Sequence, residues 1–181
     1  MNNRLDTLEK IQEFLYSYEK GLLLTGTHQF EKHPIVLKAI SNFTDKPSSI
    51  LFRANSMQNL GSFFEKPSKK FKTGYGYNLG NHKVFFDSFA KTSWNSTMYS
   101  YDFAILYPVD ALMRNDKLYN DLLKDLYEER NINKIFLVSW TDRSEYDYQK
   151  LHSQGYVSHQ VVFDALEENP QYHNRMLEND N

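Results

Sequence analysis

The stretch Gly26-Thr27-His28-Gln29-Phe30-Glu31-Lys32-His33 lies between an apolar run and an apolar helical stripe. A glycine that closes a strand, a helix opening near Pro34 and a lysine just ahead of it bring backbone amides, the positive end of a helix and a full cation into one loop. The chemistry this suits is anion binding, phosphate above all. Glu31 works against it unless its carboxylate turns toward solvent or toward a cation such as Lys38. His28 and His33 flank the loop as an imidazole pair, the residue type of metal ligands and of acid–base catalysts. No cysteine or matching carboxylate motif accompanies them, so no metal site is expected, and no residue is singled out as catalytic. His82, His152, His159 and His173 are scattered as surface histidines are.

A second constellation is Ser139-Trp140-Thr141-Asp142-Arg143. Here an arginine can meet a phosphate bidentately and a tryptophan can stack on a base. The plainer reading has Trp140 packing a rim while Asp142 and Arg143 pair or start a helix. Asp87, Asp102 and Asp110 are the carboxylates that a metal-dependent hydrolase would draw on, although no acid and lysine arrangement links them.

The elements that must position these residues alternate. Leu8, Ile11, Leu15 and Tyr18 recur at helical spacing behind a cap at Asp6 or Thr7, giving a first helix to about Lys20. Gly21 to Gly26 reads as a strand buried on both faces, and Ile35, Val36, Ala39, Ile40 and Phe43 form the stripe of a helix starting at Pro34. Further strands are expected at 49–53, 84–86, 101–107, 134–140 and 161–163. A helix capped at Asn115-Asp116 carries Leu118, Leu122, Leu123 and Leu126, and a polar helix is expected from Ser144 to Gln154. Residues 66–80, with three glycines, one proline and four lysines, read as an exposed loop or irregular hairpin. Apolar strands alternating with helices predict one α/β domain over residues 1–181, with a mainly parallel sheet flanked by helices on both faces in a P-loop or Rossmann-like three-layer sandwich. It opens with a helix in 1–20 and closes with a solvated tail at 167–181. Loops 26–33, 53–56, 107–110 and 139–143 then share the rim at the carboxyl ends of the strands, where ligands of such folds sit.

On these residues the loop resembles the Walker A motif of P-loop nucleoside triphosphatases. The pattern G-x-x-x-x-G-K-[ST] is met at Gly26 and Lys32, after a strand and before a helix. The resemblance implies a nucleotide or phosphate site made by Gly26, Thr27, Glu31, Lys32 and His33, with Lys32 on the outer phosphates, ATP or GTP as ligand, and rim contacts from Asp110, Trp140, Asp142 and Arg143. The chain departs from the pattern where Glu31 replaces the second glycine and His33 the hydroxyl that would hold Mg²⁺. The strand ending at Tyr107 lacks the terminal aspartate of a Walker B strand. Asp110 follows three residues later, and Asp87 is the other acid behind an apolar strand. The expectation is a degenerate, pseudoenzyme-like domain, regulatory in role, that binds nucleotide without efficient hydrolysis and holds Mg²⁺ poorly. The alternatives are a protein-interaction module with no small-molecule site, and a small metal-dependent nuclease or hydrolase.

Composition narrows the partners. A net charge of −2 and a pI of about 6.3 give no global attraction to nucleic acid or anionic lipid, so such binding must be local. Its place would be Lys66–Lys72, whose cations are interleaved with Phe71 and followed by Tyr75 and Tyr77, although a solvated loop reads the same way. The 13 tyrosines and 13 phenylalanines supply area for a core, for a protein partner, or for both. With no cysteine, no signal-like start and no apolar run long enough to span a bilayer, a cytoplasmic location without membrane contact is expected.

Overall fold

Apolar runs without polar alternation must be covered on both faces, and the chain achieves this by laying them side by side in the middle of a sheet. The computed structural model describes residues 1–179. Helix α1 (Arg4–Tyr16) is followed by β1 (Gly21–Thr25), α2 (Lys32–Phe43), β2 (Ser49–Ala54) and a short α3 (Leu60–Phe63). Next come β3 (Gly76–Leu79), β4 (His82–Ser88), β5 (Ser100–Tyr107), α4 (Asp116–Lys124) and β6 (Asn131–Val138). The chain ends with α5 (Gln149–Ser153), β7 (His159–Val162) and α6 (Pro170–Glu178). The seven strands lie in the order β3-β4-β2-β5-β6-β1-β7. All pairs are parallel except β3 with β4, so residues 66–80 end in an irregular hairpin on the sheet edge.

The alternation of side chains along each strand sorts the core into two layers. Leu22, Leu24, Ile50, Phe52, Ile105, Phe136 and Val138 pack with Ile11 and Phe14 of α1 and with Ile35, Val36, Ala39 and Ile40 of α2. On the opposite face Leu23, Leu51, Ala104, Leu106, Ile135 and Leu137 pack with Tyr119, Leu122 and Leu123 of α4 and with Leu151 of α5. The sheet is mainly parallel with helices on both faces, as its apolar runs require. Loops after β1, β2, β5 and β6 leave from the same edge, as parallel strands dictate.

Several boundaries differ from the expectation for local reasons. Asn3, not Asp6 or Thr7, caps α1 by accepting from the Asp6 amide at 2.9 Å, and the helix stops at Tyr16. Helix α2 begins at Lys32, two residues before Pro34, because the first amides of a helix have no intrahelical partner and proline is tolerated there. Asn115 caps α4 as expected, accepting from Leu118 N at 3.0 Å. Of the polar segment 144–154 only α5 is helical; turns over 143–148 precede it. In the expected tail, α6 forms behind the cap of Asn169 with Pro170 in its first turn, and its residues are exposed or half-buried. Residues 180 and 181 of that tail lie outside the described residues.

Arg53, expected at the rim, is fully buried there. Its guanidinium bonds Asp87 of β4 bidentately at 2.8 and 2.9 Å and Asp125 at 2.7 Å, and lies 4.3 Å from the centre of the Trp94 ring. Arg130 closes the network on Asp125 at 2.8 Å. Asp125 opens a π-helical turn (Asp125–Glu129), which lets the chain behind α4 meet Arg53. Removing one partner of a buried pair leaves the other charge unmatched. Asp87→Ala is therefore expected to destabilise the protein by about 3–5 kcal/mol in urea unfolding, since Arg53 has no route to solvent.

Candidate functional site

The rim loops converge on Lys32, whose side chain is 0% exposed. Its ammonium donates to the carbonyl of Gly26 and to that of Trp140 at 3.2 Å, with the Asp142 carboxylate at 3.8 Å. Asp142 also accepts from the Gly26 amide, and its own backbone sits in the left-handed region at φ 50°. Gly26 has φ 121°, and a Cβ there would run into the Phe163 backbone, so only glycine fits. Asp110 holds the turn that brings Trp140 O to Lys32. Its carboxylate accepts from the Trp140 and Thr141 amides at 2.7 and 2.8 Å and from the Thr141 hydroxyl at 2.9 Å.

A third carboxylate enters from behind β7. Asp164 accepts from the Thr27 amide at 2.9 Å. Burial pushes the Lys32 ammonium below the ordinary lysine range against the opposing pull of Asp142, Asp110 and Asp164, and it pushes Asp142 up against the pull of Lys32. Chemically, the Gly26 and Thr27 amides and the Lys32 ammonium form an oxyanion cradle, and two of the chain's own carboxylates fill it as a phosphate's oxygens would.

The remaining expected residues are distributed differently. Glu31 turns to Arg4 at 3.4 Å rather than to Lys38. His33 leaves the loop altogether and stacks on Tyr107, with ring centres 4.4 Å apart, between Phe52, Phe63 and Phe64. Its Nε2–H donates to Phe63 O at 2.6 Å, and burial lowers its pKa to about 4. Trp140 is 39% exposed at the rim, and Arg143 faces Glu145 at 3.7 Å. Gln29, Thr141, Arg143, Met176 and Asn179 line a cavity of about 410 Å³.

The acids do not gather at a metal. Asp87 is committed to Arg53 on a strand separated from β1 by β2, β5 and β6. Asp102 accepts from Ser49 N at 2.8 Å near the start of β5, and Asp110 stands at the rim. Among the described residues no group of three histidine or carboxylate side chains is placed to hold a metal ion.

Sequence reasoning missed the contribution of the terminal segments. Thr27 Oγ accepts from Ala165 N at 3.0 Å and is hydrogen-bonded to His173 Nδ1 at 2.6 Å. Tyr172 Oη donates to Gln29 at 3.0 Å, and His28 pairs with Glu168 at 2.7 Å. Arg4 and His28 hold the Glu168 carboxyl down at about 2, Arg4 first. One signal was available: Asp164 follows an apolar strand, as the other rim residues do, so the same topological rule selects it.

This arrangement is an α/β P-loop-like fold. Among solved structures the chain is similar to the large terminase from the thermophilic bacteriophage D6E, with a TM-score of 0.56, 9% identity, and 96% of this chain matched to 48% of that one. A second crystal form of that terminase, in complex with ADP, gives a TM-score of 0.55 at 9% identity with the same coverage. The chain thus spans about half the length of these structures, and the likeness is one of fold. No family model matches the sequence, and no curated protein matches it. Among the described residues no helix is long and apolar enough to cross a membrane.

His33 gives the site a pH signature. Between its unfolded value of 6.5 and about 4, the unfolded chain takes up a proton that the folded protein refuses. Stability is complete above this window and is lost as pH falls through it, by roughly 3 kcal/mol in all. Urea unfolding across the upper part of the window, above the carboxylate range, should show this slope in the parent and a flatter one in His33→Gln.

Proposed function

We propose that this chain binds a nucleotide or another phosphorylated ligand at loop 26–33 and does not hydrolyse it efficiently. The observation that carries the reading is the Asp142 carboxylate, an oxyanion stand-in seated on the Gly26 amide beside the Lys32 ammonium. The terminase crystal form with a similar fold is a complex with ADP, which supports a nucleoside diphosphate as the first ligand to try. Trp140, Arg143 and the cavity beside Gln29 offer room and contacts for the rest of the molecule.

Slow chemistry follows from the neighbours of the loop. A hydroxyl for Mg²⁺ is replaced by an imidazole locked in the aromatic cluster, β5 ends in Tyr107, and Asp110 is engaged by two amides. Among the described residues no hydroxyl or free carboxylate at the loop is then arranged to hold the Mg²⁺ that would neutralise the charge phosphoryl transfer develops beyond what Lys32 can match. A regulatory role fits a domain of this kind.

The test is calorimetric titration with ADP, ATP and GTP, with and without Mg²⁺. Lys32→Ala should weaken binding about tenfold or more, the effect of one charge-assisted contact. Asp142→Asn should tighten it, because it removes a carboxylate seated on the ligand's amide, whereas Glu31→Gly should change it less, because Glu31 is turned to Arg4. Turnover should stay well below about 1 per second. Absence of binding in the parent and in both carboxylate variants would sink the reading.

A further inference from the structure

From Lys66 to Lys83 the chain carries five lysines and no carboxylate, in a protein whose net charge is −2. Elsewhere several exposed lysines are matched, Lys10 with Asp6, Lys117 and Lys91 with Asp121, Lys124 with Glu129, and Lys38 and Lys46, unmatched among the described residues, do not cluster. None of Lys66, Lys69, Lys70, Lys72 and Lys83 forms an ion pair among the described residues. A concentration of unpaired cations raises the local potential and calls for an anionic partner with several charges.

The segment is not a loose loop. Phe71 is anchored among Phe64, Tyr77 and Phe86, with ring centres 5.8, 5.2 and 4.9 Å away. Lys69 lies 5.1 and 5.2 Å from the centres of the Phe71 and Tyr77 rings, and the Lys72 amide donates to Tyr77 Oη at 2.8 Å. Gly74, at φ 74°, turns the chain sharply and bonds Phe86 O at 3.0 Å, which presents Tyr75 outward, 58% exposed. Tyr75 and Tyr77 stand edge to face, 5.2 Å apart. Beside them a groove of about 320 Å³ has Phe64, Phe71, Tyr77 and Val84 as its apolar floor and Lys66 and Lys69 at its rim.

We infer that this sheet edge binds single-stranded nucleic acid. Its lysines track the phosphates, and Tyr75 with the groove receives unpaired bases, whose faces suit an exposed ring without regard to sequence. A duplex keeps its base faces stacked and would use only the lysines. A lipid surface would be met by inserted aliphatic side chains, whereas the exposed large apolar side chain of this segment is a tyrosine. The surface is independent of loop 26–33: β3 and β1 stand at positions of the sheet separated by β4, β2, β5 and β6.

The experiment is fluorescence anisotropy of a labelled oligothymidine of about 20 nucleotides, read at rising salt from about 50 mM. The full chain should bind it more tightly than a duplex of equal length. Changing Lys66, Lys69, Lys70 and Lys72 together to alanine should cut affinity at least tenfold and shallow the log–log salt slope by about 3, at roughly 0.7 per phosphate contact. Tyr75→Ala should lose about tenfold and Tyr75→Phe should restore it. These side chains are exposed, so the variants should keep the parent's melting temperature and its nucleotide titration. Equal affinity for duplex and single strand, binding untouched by the lysine or Tyr75 changes, or capture by phosphatidylserine vesicles without oligonucleotide binding would each overturn the inference.

Discussion

A buried ammonium without matched partners is intolerable in a folded protein, and the rim is organised around the one at Lys32. The cation needs two carbonyls and a carboxylate, and these come from the loops after β1 and β6. Meeting that need forces Gly26 and Asp142 into left-handed conformations and fixes where the backbone leaves each strand. Asp110 follows as a consequence. With the Trp140 carbonyl spent on Lys32, the amides of Trp140 and Thr141 still require acceptors, and Asp110 supplies both.

The chain buries a second cation by another solution. Arg53 is closed off by planar bidentate pairing with Asp87, by Asp125 and by the Trp94 face, so that each of its three nitrogens donates to a carboxylate. Lys32 is held by carbonyls and by a carboxylate at 3.8 Å, a looser match around a point charge. The difference is chemical: a guanidinium locks into a fixed fork, whereas an ammonium can exchange one oxygen for another with little rearrangement. The first arrangement suits a strut tying β2 to β4 and the turn behind α4. The second suits a place where an anion comes and goes.

Much of the fold was legible because burial on both faces leaves an unmistakable mark in the sequence. Leu22 to Leu24 and Ile135 to Val138 can sit only in a covered sheet, and parallel pairing then places the following loops on one rim. The site was legible in its loops but not in its pairings. That Glu31 would turn to Arg4 depends on a contact with a distant helix, and that His33 would leave the loop for Tyr107 and Phe63 depends on α2 starting at Lys32, which makes His33 a helical residue on the side that already carries the buried stripe. The tail was harder still. Helix α6 has no buried residue, so no apolar stripe announces it, and polar contacts from Tyr172 and His173 dock it on the loop.

That docking gives the site its energetic logic. The Gly26 and Thr27 amides cannot stand bare in a partly buried loop, so without a ligand they must be satisfied from within the chain. Asp142 and Asp164 do this with groups of the right charge and shape, and so they stabilise the fold while opposing any ligand that uses the same amides. An incoming phosphate that replaces Asp142 keeps Lys32 matched, because one anion takes over from another. Burial already pushes the Asp142 carboxyl upward against the pull of Lys32. Net affinity is then the difference between two similar sets of charge-assisted bonds. On the proposed reading that difference is small by construction, so binding at this loop would be weak and reversible even though each contact in it is charge-assisted.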